Sequence, residues 1–260
     1  MIKVITFNAN GIRAAARKGF FEWLATQDAD VVCIQETKAQ MEHHQNELFY
    51  PSNYYCYYHD AKQKGYSGVG IYCKLKPKNI NLGLGWPHAD DEGRYIQADF
   101  DNCSIASFYM PSGTSGEERQ KVKFQFMDHF LPFLKECITS KRAFIICGDW
   151  NIVHKQIDIK NWASNQKHSG CLPEERAWLD QVFSEIGLVD AFRVINQEPH
   201  QYTWWSHRGQ AYAKNVGWRI DYQVVTPLLQ NLIKSVEIYK EQKFSDHAPL
   251  IINYDFTLQP

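Results

Sequence analysis

Oxygen- and nitrogen-bearing side chains recur at the ends of apolar runs in this sequence, and their types suit a hard cation with a base and a histidine beside it. Asn8 closes the run Ile2-Lys3-Val4-Ile5-Thr6-Phe7, and Glu36 follows Val31-Val32-Cys33-Ile34-Gln35. Asp149 and Asn151 follow Ala143-Phe144-Ile145-Ile146-Cys147, Asp221 lies in the run that ends at Val225, and Asp246-His247 precede the last apolar stretch. Mg²⁺ or Mn²⁺ takes a few carboxylate and neutral oxygens and keeps water on its other positions. Asp149 and Asn151, two apart, can face one side of an extended segment. The carboxylate could then orient or deprotonate a water while the amide donates to a phosphate oxygen. His247 as imidazolium could neutralise charge developing on that phosphate, with Asp221 holding its tautomer. Tyr109, closing Ile105-Ala106-Ser107-Phe108, could bring a hydroxyl to the phosphate or leaving oxygen. Taken singly, Glu36 reads as a helix cap, Asn8 as a turn residue, Asp149-Asn151 as a polar turn and Tyr109 as a core ring. Taken together, they point to metal-assisted phosphodiester chemistry.

Side chains so far apart in sequence meet only if their strands end on one rim of a sheet. The apolar patterns predict strands over 2–7, 31–35, 54–59, 68–74, 95–100, 103–109, 143–148, 201–205, 219–225 and 249–254. They predict helices over 19–27, about 38–48, 117–138 and 174–186. The loop Ser112-Gly113-Thr114-Ser115-Gly116 offers a cap to the long helix, and Glu117 and Glu118 suit its positive end. Val122, Phe126, Phe130, Phe133 and Leu134 give that helix a core face; Ala177, Leu179, Val182, Phe183 and Ile186 do so for the next. Strands outnumber helices and both are spread along the chain, which favours an α/β layered sandwich over a bundle or barrel. With no linker rich in Pro, Gly or Ser, residues 1–260 read as a single domain.

A net charge of −1 and a pI near 6.8 set the chain apart from strongly basic nucleic-acid binders; a local basic face with a bound cation can still attract phosphate. The seven cysteines are odd in number and include no CxxC pair, so neither a zinc ribbon nor a disulfide framework is expected. Together with the lack of a signal-like start and of an apolar run of membrane-spanning length, this predicts a cytoplasmic protein with no membrane partner.

The segments Asn8-Ala9-Asn10-Gly11-Ile12-Arg13, Ile34-Gln35-Glu36-Thr37-Lys38, Gly148-Asp149-Trp150-Asn151, Gly217-Trp218-Arg219-Ile220-Asp221-Tyr222 and Ser245-Asp246-His247-Ala248-Pro249 resemble, in family order, the signatures of the exonuclease III class of apurinic/apyrimidinic endonucleases. The resemblance runs from residue 2 to about residue 254. It implies a four-layer α/β sandwich, two packed mixed β-sheets flanked by helices, with the site at one rim. It implies Mg²⁺ (Mn²⁺ as a substitute) on Glu36, with Asn8 and Asp246 close by, and Asp149 activating water. Asn151 and His247 would bind the scissile phosphate, Asp221 would orient His247, and Tyr109 would touch the phosphate or leaving group. Trp204, Trp218 and Ile220 match side chains around a flipped-out abasic sugar, and Arg94 and Lys74 fall where backbone contacts occur. The implied partner is double-stranded DNA carrying abasic sites, cut 5′ to the lesion by a monomer in base excision repair, with 3′→5′ exonuclease activity alongside.

A second resemblance competes. Lys160-Asn161-Trp162, Glu175-Arg176-Ala177-Trp178-Leu179-Asp180 and Trp218 through Pro227 are similar to the bacterial catabolite repression control proteins, which share this fold. It implies a regulator that binds RNA or an RNA-chaperone partner with little nuclease activity. Every position named above is nonetheless occupied by a chemically competent residue, which favours an enzyme.

Overall fold

The computed structural model describes residues 1–41 and 46–260. Alternation within the apolar runs builds two packing layers from each strand. In β1 (Ile2–Asn8) and β2 (Val31–Gln35), Val4, Val31 and Cys33 point into the space between two sheets. Their neighbours Ile5, Val32 and Ile34 pack outward with Phe20, Trp23 and Leu24. The first sheet has the order β13 (Ile233–Ile238), β14 (Leu250–Tyr254), β1, β2, β4 (Val69–Cys73), β3 (Tyr55–His59). The second is β5 (Asn79–Leu82), β6 (Tyr95–Asp99), β7 (Cys103–Tyr109), β8 (Ala143–Asp149), β12 (Asp221–Val225), β9 (Val189–Asp190). A two-stranded ribbon joins β10 (Trp204–Trp205) to β11 (Gly217–Trp218).

Helices α1 (Ile12–Arg17) and α2 (Phe20–Gln27) cover the first sheet. Helices α4 (Glu117–Thr139) and α6 (Pro173–Asp180) cover the second, where Phe126, Phe130 and Trp178 meet Phe108, Ile146 and Tyr222. Three short helices, α3 (Pro87–Asp90), α5 (Trp162–Asn165) and α7 (Ala191–Ile195), lie in the connections. The four layers match the expected sandwich. No helix among the described residues is long and apolar enough to cross a membrane.

Pairing directions collect the functional ends. β1 runs parallel to β2 with Asn8 opposite Gln35, and β7 runs parallel to β8 with Tyr109 opposite Asp149. β12 is antiparallel to β8 and starts with Asp221 opposite Asp149, so all these ends fall on one rim. Just below the rim a buried polar seam crosses between the sheets: Thr6 Oγ1 donates to Gln35 Oε1 (3.2 Å), and Gln35 Nε2 donates to Ser107 Oγ (3.0 Å). Satisfied buried polar groups of this kind fix one relative placement of two surfaces.

Several expectations need correction. The helix anticipated at about 38–48 falls partly on residues outside the described ones, and the described residues after them form a 3₁₀ turn at Glu47–Phe49. The helix anticipated over 174–186 is α-helical to Asp180 and then widens into a π-turn over Gln181–Glu185. Its inner face carries Trp178 while Ala177 is exposed. Helix α4 starts at Gly116 with no side-chain cap, and its inner face includes Lys123. Strands β5 and β13 were not anticipated. β5 is a short edge strand with Asn at alternate positions, and a register shift at Ile233/Ser235 breaks the alternation of β13.

Candidate active site

At the rim, Asp149 is held from two sides. Asn8 Nδ2 donates to its Oδ2 (2.9 Å) and the Asn151 backbone N–H donates to its Oδ1 (2.8 Å). Asn8 Nδ2 also donates to Glu36 Oε1 (2.9 Å), so one amide separates two carboxylates. His247 turns Nδ1 to Asp221 Oδ2 (2.9 Å) and Nε2 toward Asp149 Oδ2 (3.8 Å). Asp221 is fixed in turn by Thr203 Oγ1, which accepts the backbone N–H groups of Ile220 and Asp221 at 3.1 Å each. The backbone here is unusual: Asn10, Glu36, Lys38 and Asn151 have φ of 42°, 51°, 49° and 51°. Non-glycine residues in this left-handed region are uncommon and persist where surrounding contacts over-determine them. Gly148, one residue before Asp149, has no room for a side chain, since a Cβ would sit 1.8 Å from the Phe108 carbonyl oxygen.

Negative charge dominates the interior of this site. Burial pushes the Asp149 carboxyl up to about 8; the His247 charge opposes this, and Asp221 and Glu36 reinforce it. Burial favours a neutral His247 ring, yet Asp221, Asp149 and Asp246 together outweigh it and raise the imidazole to about 10. Asp246 falls to about 2 against its burial, through the His247 charge and hydrogen bonds from Asn10, Trp204 and Ser245. Burial also holds the Tyr109 phenol well above its usual range, so its hydroxyl keeps its proton.

Ligand atoms of Glu36, Asp149 and His247 all lie within 4.8 Å of one another. The two carboxylates offer the hard oxygens a divalent cation takes, whereas an imidazolium has no lone pair to give. Lys38 Nζ already sits 2.7 Å from Glu36 Oε2 and 2.5 Å from Asn10 Oδ1, so the outer side of Glu36 attracts positive charge. The donor set fits a hard divalent cation. Asn8, however, is not placed as a ligand: its amide hydrogens face both carboxylates and its Oδ1 accepts the Asn10 N–H (2.9 Å). Asn10 lines the cleft, but its amide is engaged as well: Nδ2 donates to Asp246 Oδ1 (2.9 Å) and Oδ1 accepts Lys38 Nζ.

A cleft of about 600 Å³ opens over this rim. Of the residues singled out from sequence, Glu36, Tyr109, Asp149, Asn151, Trp204, Trp218, Ile220, Asp246 and His247 line it, while Asn8 and Asp221 lie behind. Trp204 and Trp218 meet edge to face (centroids 5.8 Å apart, 86°) across the β10–β11 ribbon, beside Ile220. Trp204 Nε1 donates to Asp246 Oδ2 (3.1 Å), tying this wall to the acidic centre. Arg94 is misplaced as a DNA contact: only 1% exposed, it stacks its guanidinium 4.7 Å from the Tyr109 ring and donates to the Tyr109 carbonyl (3.1 Å) and to Glu92. Its role is to hold Tyr109. Lys74 follows β4 at the end away from the rim and pairs with Asp28. Lys38, Lys167 and His168 also line the cleft. In sequence, isolated basic residues such as Lys167 and His168 are indistinguishable from solvated surface.

The sequence matches the profile of the endonuclease/exonuclease/phosphatase family over residues 5–247. The chain belongs to that family. It is 38% identical over 256 residues to an exodeoxyribonuclease of Bacillus subtilis, covering 97% of this chain and all of that one. It is 35% identical to a DNA-(apurinic or apyrimidinic site) endonuclease of Dictyostelium discoideum, covering 98% of this chain and 71% of the relative. Among solved structures, an AP endonuclease from Archaeoglobus fulgidus superposes with a TM-score of 0.89 at 27% identity, covering 98% of this chain and all of that one.

Proposed function

We propose that this chain is a divalent-metal-dependent nuclease that cuts the DNA backbone 5′ to an abasic site, leaving a 3′-hydroxyl, with 3′→5′ exonuclease activity at the same centre. The observation that carries this reading is the Asp149–His247 arrangement, a buried carboxyl raised to about 8 beside an imidazolium at 3.8 Å, open to a cleft walled by tryptophans. A base near neutrality and a fixed positive charge are what hydrolysis of a phosphodiester needs at one point. Asp149 takes the proton of the attacking water, and the Nε2–H of His247 donates to a non-bridging phosphate oxygen. Asn151 donates to the same phosphate group. Tyr109, kept protonated, donates near the leaving oxygen. Glu36, with Asp246 at hand, would hold a divalent cation, Mg²⁺ for preference, which would supply Lewis-acid charge to the phosphate. Trp204, Trp218 and Ile220 form an apolar wall against a sugar that lacks its base, the nucleotide cheapest to turn out of the duplex.

The whole chain acts as one catalytic unit, as a monomer on double-stranded DNA. An RNA-level regulator would have no use for two ionisable groups tuned against one another, and the curated relatives quoted above carry nuclease names. The test is direct. Purified protein is incubated with an abasic-site duplex in Mg²⁺, in Mn²⁺ and in EDTA. Cleavage 5′ to the lesion in either metal and none in EDTA is expected; a lack of cleavage in both metals sinks the proposal.

A further inference from the structure

Helix α4 buries a lysine among its phenylalanines. Lys123 is 0% exposed, although lysine is almost never fully buried unless paired. Its partner, Glu175 of α6, is also 0% exposed, with Nζ to Oε1 at 2.6 Å. A buried pair of this kind is poor evidence for stability, because desolvating two charges offsets most of their attraction. Its other contacts suggest a different use.

Lys123 Nζ also donates to the backbone carbonyl of Asn151 (2.8 Å), and the field of Asp149 acts on Lys123. Glu175 gathers the chain on the far side: its Oε2 accepts the backbone N–H of Gly170 (2.6 Å) and of Leu172 (3.0 Å), and its Oε1 accepts Gln120 Nε2 (3.1 Å). Val153 N–H donates to the Gly170 carbonyl (2.8 Å), closing a ring of bonds between the Asn151 turn and the 168–172 loop. Gly170 has φ +90°, and a Cβ on it would stand 3.0 Å from both the Asn151 carbonyl oxygen and the Trp218 ring. The amide that meets phosphate and the ring that walls the cleft are therefore spaced across one residue, whose position Glu175 sets.

We propose that the Lys123–Glu175 pair is a positioning device for the nuclease site. It holds Asn151 in its left-handed conformation and holds the 168–170 loop against Trp218, so that the phosphate contact and the cleft wall keep one separation. The pair touches neither substrate nor the reacting atoms. Its mechanistic half rests on the nuclease reading given above. Small misplacements of positioning groups cost catalysis out of proportion to their distance from the chemistry.

Two measurements separate this from a purely structural role. In hydrogen exchange followed by mass spectrometry, Lys123→Met and Glu175→Gln should speed exchange in peptides covering Val153 and Gly170–Leu172, while peptides covering Phe126–Leu134 keep wild-type protection. On an abasic duplex, kcat per folded molecule should fall by about 10- to 100-fold in Lys123→Met, with KM within about threefold of wild type. Glu175→Gln keeps its size and one acceptor and should retain more activity. Unchanged exchange at the ring of amides, or wild-type kcat per folded molecule in both variants, overturns the proposal. If Lys123→Met does not fold, Glu175→Gln carries both readouts. Wild-type protein that fails to cut the duplex would refute the nuclease reading, whereas the exchange pattern judges the anchoring by itself.

Discussion

Two buried charged clusters lie within a few residues of each other in sequence and behave in opposite ways. Asp149 and Asp158 are both 1% exposed. Burial raises the carboxyl of each, so burial alone separates nothing. Asp158 accepts Arg219 Nε at 2.7 Å and Arg193 Nη2 at 2.7 Å, while Arg219 Nη2 reaches Asp190 at 2.6 Å. Two guanidiniums face two carboxylates, and Asp158 drops to about 2. Asp149 faces Asp221 and Glu36 with one imidazolium to compensate, and it rises to about 8. The balanced cluster also serves the unbalanced one: the Arg219 backbone N–H donates to the Asp158 carbonyl (2.7 Å), two residues before Asp221. Charge neutrality builds the platform, and charge imbalance on the platform makes the chemistry.

The largest effect follows from removing the tuned base. Asp149→Asn should lower kcat on an abasic duplex by about 10²- to 10⁴-fold, the range general-base catalysis supplies, with thermal unfolding showing that the protein remains folded. A loss below about tenfold would mean that the imbalance at the rim does no catalytic work.

The converse substitution strikes the balanced cluster. Asp158→Asn leaves Arg193 and Arg219 short of a counter-charge in the interior and should cost about 3 to 5 kcal/mol of stability. Protein that still folds should keep kcat within a few-fold of wild type. The pH dependence has a definite sign. Because folding depresses the Asp158 carboxyl from 3.8 to about 2, its contribution is fully present above pH 3.8 and is lost as pH falls through 2. Denaturant midpoints across acid pH should show this decline in wild type and not in Asp158→Asn. Equal acid sensitivity in the two proteins would remove Asp158 from the account.

Asp221→Asn connects the two regions and should act more mildly, lowering kcat by about 10- to 100-fold as loss of an orienting carboxylate does. Asp221 raises both Asp149 and His247. Activity in wild type should climb as Asp149 loses its proton and decline as His247 loses its charge. Both limbs of the kcat/KM profile should move to lower pH in the variant. A profile that falls in height without moving would mean that Asp221 positions His247 but does not tune the pair.

The same contrast governs how much was legible in the sequence. Strands with strict apolar runs, such as Val31–Gln35 and Ala143–Asp149, announce themselves and carry Glu36 and Asp149 at their ends. Burial on both faces leaves little else those residues could do. The edge strands β5 and β13 are less buried and less regular, so periodicity misses them. At the site, the motifs located the cleft but not the direction in which each polar group points. Asn8 and Asn10 are equivalent as letters, and only hydrogen bonding shows that Asn8 spends its hydrogens on Glu36 and Asp149 while Asn10 bridges Lys38 and Asp246. Arg94 reads as a basic contact until its burial against Tyr109 is seen. Nothing in local sequence marks Lys123 as interior, because its partner comes from another helix more than fifty residues away.

The smallest predicted effect concerns the wall beside the acidic centre. Trp218 contributes a ring face and no charge, so Trp218→Leu should leave the Asp149 and His247 limbs of the pH profile where they are. It removes part of a surface packed against Trp204 and Gly170 while Trp204 keeps its bond to Asp246. The expected result is a KM for the abasic duplex raised by about tenfold, roughly 1.4 kcal/mol, at nearly constant kcat. Digestion from the 3′ end of an undamaged duplex should change less, because no baseless sugar then needs the wall. If both substrates weaken equally, the tryptophans grip DNA in general, and recognition of the lesion must come from the charged rim instead.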